Sequence, residues 1–354
     1  MRLPQKTYFL ALLSSFMLLS LFAQSQNHDN VWIFGTNGGY DWNTNTVISN
    51  SAINTSEGCA SISDASGNLI FYTDGINAWN SNHVLVTTGF NMTGNPSSTQ
   101  SGIIIPKPGS ANYYIVSVDF AGATNSRMAW YEAGITGGML TSVFPAPGTT
   151  MLTNSAEKVA AVRKPCDPDT VWIIGHNYTL QRYEVFAATN AGISPTGASI
   201  PDLAINHSLR NKLGTLRFNH QGNILASAIF DEHVELMGFN PNTGQFTGLQ
   251  LKFEVNNAQS PDKEVYGLEF SPNDRIIYVS QWGSNTITNN ALLQFNVSNL
   301  TEPIIEASRQ LLYSSGSGAN HIDAAQIQLA PDGNIYVALR RIGTPSGTSG
   351  LGRI

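Results

Sequence analysis

Apolar residues in this chain come in short bursts separated by turn-forming residues, and the bursts recur as a unit. The clearest copies read GNLIFYT from Gly67, ANYYIVS from Ala111, DTVWIIG from Asp169, GNILASA from Gly222, DRIIYVS from Asp274 and GNIYVAL from Gly333. Their starts lie 44, 58, 53, 52 and 59 residues apart. Before each runs a second apolar or alternating stretch: CASISDA, SGIIIPK, KVAAVRK, GTLRFNH, YGLEFSP and AQIQLAP. Two such runs around an Asp, Asn or Gly turn predict a β-hairpin. Many copies continue into a third run, such as SRMAWYEA, LQRYEVFAAT, HVELMGFNPNTG and NALLQFNVSN. No stretch sustains the 3.6-residue period of an amphipathic helix, so helices should be few.

A unit of three or four antiparallel strands recurring roughly every 40–60 residues is the signature of a β-propeller blade. A β-sandwich would not repeat a hairpin-first unit at this step. The expectation is an all-β protein, one β-propeller domain over residues 26–354 with about seven four-stranded blades. Residues 30–50, with VWIFG from Val31, read as outer strands of a blade whose inner strands come from the C-terminus. The chain runs only about 20 residues past GNIYVAL, which predicts a ring incomplete at its C-terminal end. A six-bladed ring closed by the N-terminal strands is the alternative.

Composition agrees with many tight turns. Charged residues are 12% of the chain, against about 25% in ordinary soluble domains. Gly contributes 32 residues and Asn 34, and both tolerate the positive φ that turns require. A net charge of −6 gives no basic footprint, so nucleic acid is not the expected partner.

At the N-terminus Arg2 and Lys6 precede an apolar run over residues 8–22, followed by Ala23-Gln24-Ser25. This is the layout of a secretory signal peptide over residues 1–25. The run is short of the ~20 residues that span a bilayer, and no later segment qualifies. The mature chain is therefore expected outside the cytoplasm, secreted or at the cell surface, with no membrane span. Cys59 and Cys166 could bridge in such a compartment. Two buried free thiols are the preferred alternative.

Several blocks carry a family resemblance. NVWIFGTNGGYDWN, EGCASISDASGNLIFYTDGINAWNSNH and GNPSSTQSGIIIPKPGSANYYIVSVD resemble the N-terminal region of large secreted Bacteroidota proteins exported by type IX secretion. These are often described as gliding-motility-associated or PKD-domain proteins. EKVAAVRKPCDPDTVWIIGHN, YGLEFSPNDRIIYVSQWGSN and LAPDGNIYVA extend the likeness over nearly the whole mature chain. The resemblance implies a propeller at the outer-membrane surface, followed in a longer parent chain by further modules and a C-terminal sorting domain. It implies no catalytic residues.

Enzyme motifs are absent: no H-E-x-x-H, no G-x-S-x-G and no phosphate loop. Asp231-Glu232-His233 with Glu235 reads as a solvated turn in preference to a metal site. Asp74, Asn77, Asn80 and Asn82 could offer oxygens to Ca²⁺, the one cofactor with any support, but Asp-Gly and Asn are also ordinary turn chemistry. Propeller geometry supplies better candidates. Loops entering the innermost strands and loops leaving the second strands open on one face, around the channel. The first set carries Glu57, Gln100, Glu157, Lys212, Glu264 and Asp323. The second carries Asp74, Asp119, His176, Asn177, Asp231, Trp282, Arg340 and Arg341. Converging polar groups in a concave mouth are the default binding site. The expected function is a binding module for a glycan or protein, with Trp79, Trp282 or Tyr178 stacking on the ligand. The alternative is a propeller hydrolase of lactonase or glycan-cleaving type. It would use Glu57, Glu157, Glu264, Asp323 and His176 as metal ligands or general acid and base.

Overall fold

Every repeat becomes a hairpin in the computed structural model, which describes residues 27–205, 208–256, 264–282, 290–315, 322–341 and 349–354. The signal-peptide segment lies outside the described residues. The turn chemistry explains the composition. Asp64 Oδ1 accepts from the Ser66 and Asn68 amides at 2.8 and 2.9 Å, and Gly67 takes φ 88°. Asn219 Oδ1 does the same for Asn223 and Ile224, with Gly222 at φ 69°. At Gly67 a Cβ would also stand 2.4 Å from Asn43 Oδ1, so no other residue fits.

Seven antiparallel sheets result. Blade 1 is β1 (Val31–Phe34), β2 (Gly38–Asp41) and β3 (Thr46–Ile48); blade 2 is β4 (Ala60–Ser63), β5 (Leu69–Thr73) and β6 (Ala78–Asn80). Blade 3 is β7 (Gly102–Pro106), β8 (Tyr113–Val118), β9 (Arg127–Thr136) and β10 (Met139–Thr153). Blade 4 is β11 (Ser155–Arg163), β12 (Val171–Asn177), β13 (Arg182–Thr189) and β14 (Gly192–Pro201). Blade 5 is β15 (Leu216–Phe218), β16 (Ile224–Ile229), β17 (His233–Asn240) and β18 (Gln245–Phe253). Blade 6 is β19 (Val265–Phe270), β20 (Ile276–Gln281), β21 (Ala291–Asn296) and β22 (Gln310–Ser314). Blade 7 is β23 (Ile322–Leu329), β24 (Ile335–Arg341) and β25 (Ser349–Arg353). The described helical residues are a short α-helix, Glu302–Ala307, and a 3-10 turn, Leu209–Lys212.

The core lies between the sheets. Ile33 meets Tyr72 between blades 1 and 2, and Phe71 and Ile115 share the cluster between blades 2 and 3. Val116 and Ile173 join blades 3 and 4, and Ile174 and Leu225 join blades 4 and 5. Phe253 packs on Phe295 at 4.9 Å between blades 5 and 6, and Leu292 meets Val337 between blades 6 and 7. The ring closes through aromatic edges: Tyr336 on β24 lies 4.9 Å from Trp42 and 6.3 Å from Trp32. Such a blade buries its faces only against its neighbours, so the core runs from sheet to sheet around the ring.

Several expectations are corrected. β1–β3 form a sheet of their own, and no C-terminal strand pairs with β1 among the described residues. The six-bladed alternative is therefore not the one adopted. Blades also vary, with three strands in blades 1, 2 and 7 and four in the rest. Cys59 and Cys166 are free thiols rather than a bridge. Cys59 precedes an inner strand at the mouth end, whereas Cys166 lies in the β11–β12 turn at the opposite end. Cys59 is half-buried and Cys166 exposed, so neither thiol is fully buried as expected. Burial, with the Asp74 carboxylate beside it, pushes the Cys59 thiol up to about 12. Among the described residues no helix is long and apolar enough to cross a membrane.

Candidate functional site

The segment joining β6 to β7 occupies the channel axis. It is pinned to the approach to β4: the Glu57 amide donates to Pro96 O at 3.1 Å and the Gly58 amide to Ser98 O at 2.9 Å. A Cβ on Gly58 would stand 2.2 Å from the Ser101 amide nitrogen, so the close approach requires glycine. Gln100 then spans two blades. Its Nε2 donates to Val159 O at 3.0 Å and Leu216 O at 3.2 Å, and its Oε1 accepts from the amides of the same residues at 3.2 and 2.8 Å. Gln326 of blade 7 reaches the same segment, donating to Thr99 O at 3.1 Å and accepting from Thr215 Oγ1 at 2.9 Å. An amide side chain satisfies a free strand edge on each side because it carries both a donor and an acceptor.

Glu157 anchors this plug from blade 4. It is 1% exposed; Oε2 accepts from Thr99 N at 2.7 Å and Thr99 Oγ1 at 2.9 Å, and Oε1 from the Ala121 amide at 2.6 Å. Burial raises its pKa, and these three donors and Lys158 oppose the rise. Lys158 is fully buried and donates to the carbonyls of Asn211 and Leu213. Desolvation pulls its ammonium down to about 7, against the pull of Glu157, Glu235 and Asp202. Between about pH 7 and 10 the unfolded chain keeps this proton while the folded protein has lost it, so Lys158 makes stability rise with pH there. Above pH 10 Tyr183 and Tyr266, raised first by burial and then by Glu235 and Glu57, hold their protons longer when folded, and stability falls. Lys158→Met should flatten the rise between pH 7 and 10 in denaturant midpoints; an unchanged profile would refute the assignment.

Beside Lys158 lies a second buried network. His176 Nε2 pairs with Asp202 Oδ2 at 2.8 Å, and its ring stacks on Tyr183 at 4.6 Å. Tyr183 donates to Glu235 Oε2 at 2.7 Å, and Leu203 N to Glu235 Oε1 at 2.7 Å. His233 lies 3.4 Å from Glu235 and 3.5 Å from Glu232. Glu232 also accepts from Ile205 N and Asn211 Nδ2, both at 2.8 Å. Desolvation lowers the His176 pKa. The solvated-turn reading of this segment is overturned for Glu232, His233 and Glu235, which are 7%, 1% and 0% exposed. They face the neighbouring blade, and alternation puts His233 and Glu235 on one face. Among the described residues no three His, Cys, Asp or Glu side chains are arranged to hold a metal ion.

Among the described residues, the accessible part of the mouth is a rim on blades 5 and 6. Arg210 bridges Asp231, at 3.0 Å, and Glu264, and lies 4.9 Å over the Phe230 ring. Half-buried Trp282 packs edge-on against Tyr266 at 5.1 Å. Tyr266 donates to Glu57 Oε2 at 2.9 Å, and Ser97 to Glu57 Oε1 at 3.4 Å. Glu57, Asp231, Glu264 and Trp282 are thus brought together.

The remaining sequence candidates fall elsewhere. Gln100 and Glu157 are consumed in the plug. Asp74 caps its own turn, accepting from Ile76 and Asn77 amides at 2.9 and 2.7 Å, and Asn80 caps Asn82 and Val84. Asp119 accepts from the Phe120 amide at 2.9 Å. Asn177 holds Glu184 and the Leu180 amide. His176 is enclosed, and Lys212 lies 4.4 Å over the Tyr178 ring while donating to Ala121 O. Asp323 is buried and pairs across the ladder with Arg340; Arg340 and Arg341 are described through their backbone alone. Trp79 is core, stacked 5.4 Å from Tyr72, and cannot meet a ligand. Sequence reasoning missed Thr99, Lys158, Tyr183, Asp202, Arg210 and Tyr266. The local signal was a lysine at the head of the apolar run in KVAAVRK.

No protein-family model matches the chain. No curated protein matches it. Solved structures similar in fold include the β-propeller domain of Cps50 (Swd1) from Myceliophteria thermophila, 12% identical with a TM-score of 0.46, covering 90% of each chain. The periplasmic gluconolactonase PpgL of Pseudomonas aeruginosa is 12% identical with a TM-score of 0.46, covering 92% of this chain and 94% of its own. A functionally unknown protein from Desulfotomaculum acetoxidans is 11% identical with a TM-score of 0.46, at the same coverage.

Proposed function

We propose that this propeller is a non-enzymatic binding module that takes a glycan or protein ligand at the rim formed by Trp282, Arg210, Asp231 and Glu264, with buried Tyr266 supporting Trp282 from below. One observation carries the reading: the protein's own chain around Gln100 bridges the inner strands of blades 4, 5 and 7, which among the described residues leaves the rim as the accessible part of the mouth. An aromatic edge beside an ion-paired arginine is a common binding composition, since Trp, Tyr and Arg dominate hot spots. In keeping with the N-terminal segment and the family resemblance, the module works outside the cytoplasm, at the cell surface, as part of a longer chain.

Trp282→Ala should weaken retention on an immobilised glycan array or a surface-protein column about 10–100-fold, the scale of a lost hot spot of about 2 kcal/mol. Its melting temperature should stay near that of the parent. Equal retention by Trp282→Ala would refute the rim. The hydrolase reading draws on a different observation, the near-neutral Lys158 beside Glu157 and His176. Hydrolysis of lactones or aryl glycosides that survives Trp282→Ala but vanishes in Lys158→Met would replace the binding reading with that one.

A further inference from the structure

At the opposite end from the mouth, the β7–β8 and β11–β12 turns line an open cleft of about 600 Å³. Its walls are rigid, because Pro106, Pro108, Pro165 and Pro168 all line it. Its charge runs against that of the chain. The protein carries a net −6, yet the lining holds Lys107, Arg163 and Lys164 against one acid, Asp167. Two of these cations are already compensated. Lys164 pairs with Asp167 at 2.6 Å, and Lys107 pairs with Glu132 at 2.8 Å while lying 5.6 Å over the Tyr114 ring. Arg163 pairs with Val171 through its backbone, but its side chain is exposed and makes no ion pair or hydrogen bond among the described residues.

We propose that this cleft is a second binding site, for a short carboxylate-bearing sugar acid of two or three rings. A guanidinium presents a planar fork that matches a carboxylate in two parallel hydrogen bonds. The volume falls within the roughly 300–1,000 Å³ typical of small-molecule sites, far more than a bare inorganic ion fills. Proline walls hold their shape before the ligand arrives, which lowers the cost of ordering.

Titrating the whole protein with trigalacturonate in a calorimeter tests this. Saturable binding is expected, weaker at high salt and absent with the neutral trisaccharide maltotriose. Arg163→Met should weaken it about tenfold or more, as for a lost charge-assisted hydrogen bond. Arg163→Lys, which keeps the charge and loses the fork, should fall between. Trp282→Ala should bind trigalacturonate like the parent, which separates this site from the mouth. Absence of saturable binding, equal binding of maltotriose, or unchanged affinity in Arg163→Met would overturn the proposal.

Discussion

Glu157→Ala should destabilise the protein by about 3–5 kcal/mol, the scale of breaking a buried charged contact. The carboxylate is the common acceptor for Thr99 N, Thr99 Oγ1 and Ala121 N. Alanine leaves these donors buried, and each unsatisfied group costs about 1–3 kcal/mol. Lys158 would also lose its nearest negative charge. The melting temperature should fall roughly 5–15 °C, by the usual conversion for a large domain. Glu157→Gln should also cost stability, because its NH₂ group would face a donor at Ala121 or Thr99. A denaturant midpoint for Glu157→Ala within experimental error of the parent would show that the plug is not anchored here.

Gln100→Glu should be nearly as damaging at neutral pH, and its effect should depend on pH. The wild-type Nε2 donates to two carbonyls, Val159 O and Leu216 O. A carboxylate oxygen placed there meets both acceptors with no proton between them. The loss should be about 3 kcal/mol or more. Protonation supplies one donor, so the introduced carboxyl should have a raised folded pKa. A group raised in this way contributes stability below its unfolded pKa and loses it as pH rises through the folded value. Gln100→Glu should therefore recover part of its stability near pH 4–5, where an ordinary Glu of about 4.3 begins to protonate. Gln100→Leu should be destabilised without that recovery. Amide exchange at Val159 and Leu216 should quicken in both variants. Identical pH profiles for the two would rule out the bridging role.

Particular residues show how far the sequence could be read. The hairpins at Gly67, Gly222 and Gly333 were legible because their determinants are local: an Asx side chain capping the turn, a glycine at positive φ, and alternation on either side. The mouth position of Glu57 and Glu264 followed from the same reading, since strand order fixes which loops share a face. The state of those mouth residues did not. Glu157 and Gln100 looked like ligand-facing polar groups, yet their partners lie on segments 58 and 116 residues away. Asp231 and Glu232 are adjacent, but one pairs with Arg210 at the rim and the other is buried against Asn211. Trp79 was offered to a ligand and is instead core, because β6 packs beside Tyr72.

The sequence by itself determined the repeat, the hairpins and the end of the ring on which the polar loops gather. These depend on periodicity and turn stereochemistry within about ten residues. Tertiary structure alone decided which polar groups remain available. It used β6–β7 to bridge the inner strands, enclosed Lys158 and His176, and left Arg210, part of Trp282 and, at the far end, Arg163 open to solvent. The reason is physical: whether a polar group is satisfied depends on contacts made across the ring, and in a circular fold those partners come from distant repeats.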